Sequence, residues 1–211
     1  LSENDIKEAK KAVSRALFAQ EYECEWTTTE SQIYEAIDEE KHIGEYVGER
    51  FSEVIGGLDV GYRDENVFVV IGFDGQSYYI IDEYVSKEST TSELAAAIQE
   101  KMDEWSIDTI YIDSAAQQVK ADFAYDYDIY CENAVKSVND GISYIQVLIE
   151  NDNLYFDTLG GSHTFSAMSS YRWNPNTETP KPIHDWTSHP CDAIRYAIYT
   201  HSKMSNISIY A

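Results

Sequence analysis

Val54 to Ile81 reads VIGGLDV, GYRDEN, VFVVI, GFDGQS, YYII: three short apolar runs separated by glycine and acidic turn formers. Apolar runs of this length bounded by Gly, Asp and Asn are the pattern of buried strands, too short for helices of a packed core. Val54 to Val60, Val67 to Ile71 and Tyr78 to Ile81 are therefore predicted to be successive antiparallel strands, with Asp74-Gly75 as the hairpin signal between the last two.

Downstream the pattern changes period. Thr90-Thr91-Ser92-Glu93 offers a capping box, after which Leu94, Ala97, Ile98, Met102 and Trp105 form one apolar helical face. Ile107 to Ile112 is a short buried strand ending at Asp113. Helix is predicted over Ala115 to Ala124, strand around Ile129 to Cys131, helix over Ile142 to Ile149, and a small strand at Leu154 to Phe156. A further helix carries Phe165, Met168 and Arg172 to about Trp173. The proline-bearing loop Asn174 to Pro182 follows, and Pro190 opens a last helix, since proline is tolerated in the first turn. The order predicts an α/β fold: a mixed central sheet, three antiparallel strands then parallel ones, flanked by helices. This is the ribonuclease H-like plan.

Upstream, residues 1 to about 22 read as a helix on Ile6, Ala9, Val13, Ala16 and Leu17, and a weakly helical, acidic segment runs on to Arg50. This first fifty reads as a connector or the tail of a preceding domain, and the opening Leu1 in place of Met is expected of a piece of something longer. Hydrophobic content of 43% with 17 tyrosines suits a packed, sheet-rich globule. No stretch approaches the roughly 18 apolar residues of a membrane span, so a soluble protein without membrane partner is expected. Cys24, Cys131 and Cys191 lie far apart without a CxxC, which argues against zinc and against a disulfide framework and fits a reducing cytosol. No GxxxxGK[ST] occurs, which excludes nucleotide binding through a P-loop. The 15 Lys plus Arg against 38 Asp plus Glu give a net charge of −23, which repels a polyanion at long range and weakens a nucleic-acid reading without excluding it.

Three aspartates sit where these elements begin or end: Asp59 in Gly57-Leu58-Asp59-Val60-Gly61, Asp113 in Tyr111-Ile112-Asp113-Ser114, and Asp192 in His189-Pro190-Cys191-Asp192. An acid at the end of an apolar strand is costly unless something positive sits beside it. Three such acids suggest a carboxylate cage, and oxygen-only ligands suit Mg²⁺ or Mn²⁺ and hence phosphodiester chemistry. The small neighbours of Asp59 are expected to admit a phosphate and its metal close to the backbone. Asp113 reads either as a ligand at a strand's carboxyl end or as a helix N-cap. His189, one turn before Asp192, reads as a metal ligand, a general acid or a cap. Asp64 reads as a turn residue or a water-orienting acid, and Lys136 as a phosphate-positioning or a solvated lysine. Arg195 reads as a partner for a carboxylate or a phosphate. His184 and Asp185 form a further pair in a loop, while His42, His163 and His201 show no partner pattern.

Taken together, these strings resemble the C-terminal nuclease domain of the large terminase subunit of tailed bacteriophages. The resemblance rests on Phe18-Ala19-Gln20-Glu21-Tyr22, Gly57 to Gly61, Tyr111-Ile112-Asp113, Lys136 to Ile142, Tyr171-Arg172-Trp173 and His189 to Tyr196, in family order across nearly the whole chain. It departs at Ser188, where many relatives have an acid, and at Ser166 and Ala167, where relatives often carry a glutamate.

The resemblance implies a domain boundary, with residues 1–50 the tail of an ATPase domain and 51–211 the nuclease domain. It implies metal-dependent endonucleolytic cleavage of double-stranded viral DNA during genome packaging. Asp59, Asp113 and Asp192 would hold two Mg²⁺ or Mn²⁺ ions, with His189 as a fourth contributor. The small terminase subunit and the portal are the implied partners, and the host cytoplasm the implied location. The residues alone leave two other readings open: a Holliday-junction resolvase or transposase core, and a non-catalytic docking module for the portal or small subunit.

Overall fold

The computed structural model describes residues 32–61 and 64–207; the helix expected over 1–22 lies outside them. A short helix α1 (Glu39–His42) leads into a two-residue edge strand β1 (Ile43–Gly44). The sequence signals at 54–81 become β2 (Glu53–Asp59), β3 (Glu65–Phe73) and β4 (Tyr78–Lys87). Then come α2 (Thr91–Trp105), β5 (Thr109–Ile112), α3 (Gln117–Asp126), β6 (Cys131–Asn133), α4 (Val138–Glu150), β7 (Leu154–Asp157), α5 (Ser162–Ser170) and α6 (Ser188–Ile207).

The seven strands form one sheet in the order β1-β7-β4-β3-β2-β5-β6. Strand β3 pairs antiparallel with β2 and β4, and the pairings outside this trio are parallel. The mixed sheet of antiparallel then parallel strands expected from the sequence is present. Alternate residues of β3 explain why it reads as a continuous apolar run. Val67, Val69 and Ile71 enter one core with Ile194, Ala197 and Ile198 of α6. Phe68 and Val70 enter a second core with Leu94 and Ile98 of α2 and Phe123 of α3. A strand buried on both faces loses the polar half of its alternation.

The capping box of α2 forms as expected: the Thr90 hydroxyl accepts from Glu93 N–H and Glu93 returns a bond to Thr90 N–H. At Asp74-Gly75 the chain turns through four residues. Asp74 Oδ1 accepts from Gln76 N–H and Ser77 N–H, and Gly75 takes φ +104°. Several expectations shift: β4 runs on to Lys87 past its expected end at Ile81, and α4 begins at Val138 ahead of the expected Ile142. The predicted Ile129–Cys131 strand lies two residues later, at Cys131–Asn133. Helix α5 ends at Ser170 instead of continuing to Trp173. Arg172 bridges instead to Gln32, remote in sequence, and Trp173 to Pro182 across the proline-bearing loop. Of the acidic segment before Arg50, only Glu39–His42 is helical among the described residues; Ile33 and Tyr34 are buried in the core and β1 extends the sheet. No helix among the described residues is long and apolar enough to cross a membrane.

Candidate active site

Strands β2 and β5 run parallel with Leu58 opposite Ile112. Asp59 and Asp113, the next residue of each, therefore leave the carboxyl edge of the sheet side by side, where open α/β sheets collect ligands. Helix α6 crosses this edge so closely that a Cβ on Gly57 would sit 2.1 Å from Ala193 O. The glycines around Asp59 thus serve a different purpose from the one expected. Gly57 admits the backbone of α6 instead of a phosphate, and Gly61 admits Glu65 O, which a Cβ there would approach to 2.7 Å. Because Asp192 precedes Ala193, this contact also holds the third acid over the strand that carries the first.

Each acid meets a base. His189 Nδ1 lies 2.6 Å from Asp59 Oδ2. Lys136 Nζ lies 2.7 Å from Asp113 Oδ1, which also accepts from Ala115 N–H. Arg195 donates to Asp192 Oδ1 from Nε at 3.2 Å and Nη2 at 2.8 Å. Gly141 of α4 leaves room for the Arg195 stem, whose Cδ would lie 2.7 Å from a Cβ there, and the guanidinium stacks over the Tyr196 ring at 4.7 Å. Arg195 is thus a buried structural partner of a carboxylate. Lys136, by contrast, keeps 51% of its side chain exposed and can leave Asp113 for an anion at little cost.

The environments push the acids apart. Burial raises Asp192, the nearby charge of Asp59 adds to this, and Arg195 opposes without cancelling it. Burial also acts to raise Asp113, but the bonds from Lys136 and Ala115 N–H outweigh it and hold this carboxyl below its ordinary value. His189 is raised, first by its hydrogen bond to Asp59 and against the effect of burial. Tyr196, one turn beyond Asp192 on α6, is buried. Desolvation raises its phenol, and the charges of Asp192, Asp59 and Asp113 all add to the shift. Tyr196 lies on the α6 stripe that continues from His189 and Asp192, but nothing in its sequence context set it apart from a core tyrosine.

The three acids share this neighbourhood without closing into one tight set. Among the described residues, the one group of three ligand atoms from His, Cys, Asp or Glu within 4.8 Å of one another belongs to Asp64, His184 and His189. Asp64 Oδ2 is 3.9 Å from His189 Nε2, on the far side of the ring from Asp59. Asp185, which the sequence pairs with His184, instead accepts from the N–H and hydroxyl of Thr187 just before α6. Ser188, at the position of the relatives' acid, bonds Ile183 O and Asp185 N–H. His184 lines two openings. A cavity of about 480 Å³ on one side reaches Asp192, Ser137 and Lys181, and one of about 250 Å³ on the other holds Asp64 and His189. Cys131 and Cys191 are buried and free, and burial pushes the Cys131 thiol up to about 11, so neither is a poised nucleophile.

A mixed sheet with acids at the ends of two adjacent parallel strands and on the helix crossing them defines a ribonuclease H-like domain. Residues 56–200 match the family model of the terminase RNaseH-like domain, and the chain belongs to that family. It is 36% identical over 214 residues to the large terminase subunit of Escherichia phage T5, covering 95% of this chain and 49% of that protein. The chain therefore spans about half the length of this curated relative. The large terminase of a thermophilic bacteriophage superposes with a TM-score of 0.82 at 20% identity, over 97% of this chain and 53% of that one. The nuclease domain of the large terminase of bacteriophage SPP1, solved with bound Mn, gives a TM-score of 0.61 at 23% identity, over 79% of this chain and 97% of that domain. The fold is that of a large terminase nuclease domain.

Proposed function

We propose that this chain is a divalent-metal-dependent endonuclease that cuts double-stranded viral DNA during genome packaging. The observation that carries the reading is the placement of Asp59 and Asp113 at the adjacent carboxyl ends of β2 and β5, with α6, which bears Asp192, packed directly against β2. Membership of the terminase family and the Mn bound by the SPP1 domain support it.

The donor chemistry fits a hard cation. Asp59, Asp113 and Asp192 offer oxygen alone, which suits Mg²⁺ or Mn²⁺. A cation also relieves the burial and like charge that hold Asp192 above its usual value. Asp59, Asp113 and Asp192 would hold two ions, which when bound supply a hydroxide-like nucleophile and charge neutralisation at the leaving oxygen. Around them the chain's own side chains position. His189 fixes one oxygen of Asp59, leaving Oδ1 for a ligand, and thereby contributes to the site through Asp59. Arg195 locks the Asp192 rotamer. Lys136, half exposed, is the group that turns from Asp113 to a DNA phosphate when Asp113 takes a cation.

The assignment extends to the whole subunit. Within residues 1–50, Ile33, Tyr34 and β1 pack into this domain, and the chain before them would lead to an ATPase domain, with the small terminase subunit and the portal as partners in the host cytoplasm. Plasmid nicking in Mn²⁺ tests the reading. Asp59→Asn, Asp113→Asn and Asp192→Asn should each lower the rate at least ~100-fold, the loss of one strong transition-state interaction, while circular dichroism stays native. Undiminished nicking by Asp113→Asn contradicts the assignment.

A further inference from the structure

The geometry points to a second cation site, distinct from Asp59, Asp113 and Asp192: Asp64, His184 and His189 form a His₂Asp site for a borderline transition ion of the Zn²⁺ class. A carboxylate accepts, so at 2.6 Å from Asp59 Oδ2 the His189 ring donates from Nδ1, and in the neutral imidazole the other nitrogen, Nε2, then carries a lone pair. A carboxylate behind a histidine whose far nitrogen faces outward is the arrangement that orients metal-binding imidazoles. What Nε2 faces is Asp64, its Oδ2 at 3.9 Å, and His184, whose ring lies 5.7 Å from that of His189 at 70°.

In a tetrahedral Zn²⁺ site with bonds of about 2.0–2.2 Å, two donors lie about 3.3–3.6 Å apart. Asp64 Oδ2 already lies 3.9 Å from His189 Nε2, and Asp64 and His184 are both exposed, so small rotations of their side chains bring the three donors onto one ion. The cavity of about 250 Å³ in front of the three has room for the ion and its waters. Glu65 lines the same cavity. It is buried, and its Oε2 makes no hydrogen bond, lying 3.4 Å from His163 Nε2, so it offers an acceptor to a metal-bound water. Two imidazoles and one carboxylate favour Zn²⁺ and its neighbours over Mg²⁺, which prefers an all-oxygen octahedron. The site would tie the loop before α6 to the turn between β2 and β3. It does not depend on the nuclease reading.

Calorimetry of the 211-residue chain with Zn²⁺, in millimolar excess of Mg²⁺, tests this, with Co²⁺ absorption as a second readout. One ion per chain is expected, with affinity falling at least ~10-fold in His184→Ala and in Asp64→Asn and unchanged in Asp113→Asn. Both altered side chains are exposed, so native melting of these variants is expected and checks the comparison. Zn²⁺ held as tightly by His184→Ala, displaced by Mg²⁺, lost in Asp113→Asn or not bound at all overturns the site.

Discussion

At Asp157 one carboxylate fastens two chain segments that the sequence keeps far apart. Its Oδ2 accepts from Tyr46 N–H at 2.9 Å and Val47 N–H at 3.2 Å, and its Oδ1 from Leu159 N–H at 3.0 Å and Gly160 N–H at 3.1 Å. Burial acts to raise its pKa, but these four donors outweigh it and hold the carboxyl below its ordinary value. A carboxyl lowered on folding stabilises above its unfolded pKa of about 3.9, and that contribution fades as pH falls through the folded value. Asp157→Asn should therefore cost about 1–3 kcal/mol at neutral pH, since buried N–H groups lose acceptor strength. In urea unfolding the gap between the two proteins should narrow below about pH 4; a gap constant from about pH 7 to pH 3 refutes the assignment. None of this was legible in the sequence, where Asp157 simply follows the short strand expected at Leu154 to Phe156. The acids of the site were legible for the opposite reason: Asp59 and Asp113 each follow an apolar run that has no other use for a charge. Asp64 and His184 were visible only as loop polars, because their proximity is made by two turns that no periodicity describes.

The elements follow the same division. Strands β2 to β5 and the capped helix α2 were readable because local signals (apolar runs, turn formers, a capping box) agree with where the tertiary structure puts them. The end of α5 was not, since Arg172 and Trp173 leave helix for bridges to Gln32 and Pro182 that local propensity cannot anticipate. Between element and site, the decisive contact is α6 on β2. With Ala193 O 2.1 Å from where a Cβ of Gly57 would stand, Gly57→Ala must displace the helix that carries His189 and Asp192. Overpacking of this kind costs about 1–3 kcal/mol. Gly57→Ala should lower the melting temperature and also weaken Mn²⁺ binding, although the altered residue bears no ligand. Unaltered Mn²⁺ affinity in a folded Gly57→Ala protein would show that the placement of α6 does not set the site.

For the whole molecule the governing quantity is the net charge of −23. A basic DNA-binding protein making about 6–10 phosphate contacts loses affinity by about 10³–10⁵ between about 50 and 200 mM salt. Here salt screens repulsion as well as attraction, over a Debye length of about 8 Å at physiological ionic strength. At fixed Mg²⁺, binding of the isolated chain to duplex DNA should be weak and fall by less than ~10-fold across that range, measured by fluorescence anisotropy. A steep loss with salt would mean that a basic face dominates after all. Under the proposed function, weak intrinsic affinity would suit a nuclease that a packaging motor must keep idle until cutting is due. Asp59, Asp113 and Asp192 are proposed to grip the catalytic cations together. Anomalous diffraction from crystals soaked in Mn²⁺ tests this most directly. It should show density coordinated by all three carboxylates, with Lys136 withdrawn from Asp113. Ions bound elsewhere, with these acids still paired to His189, Lys136 and Arg195, would contradict it.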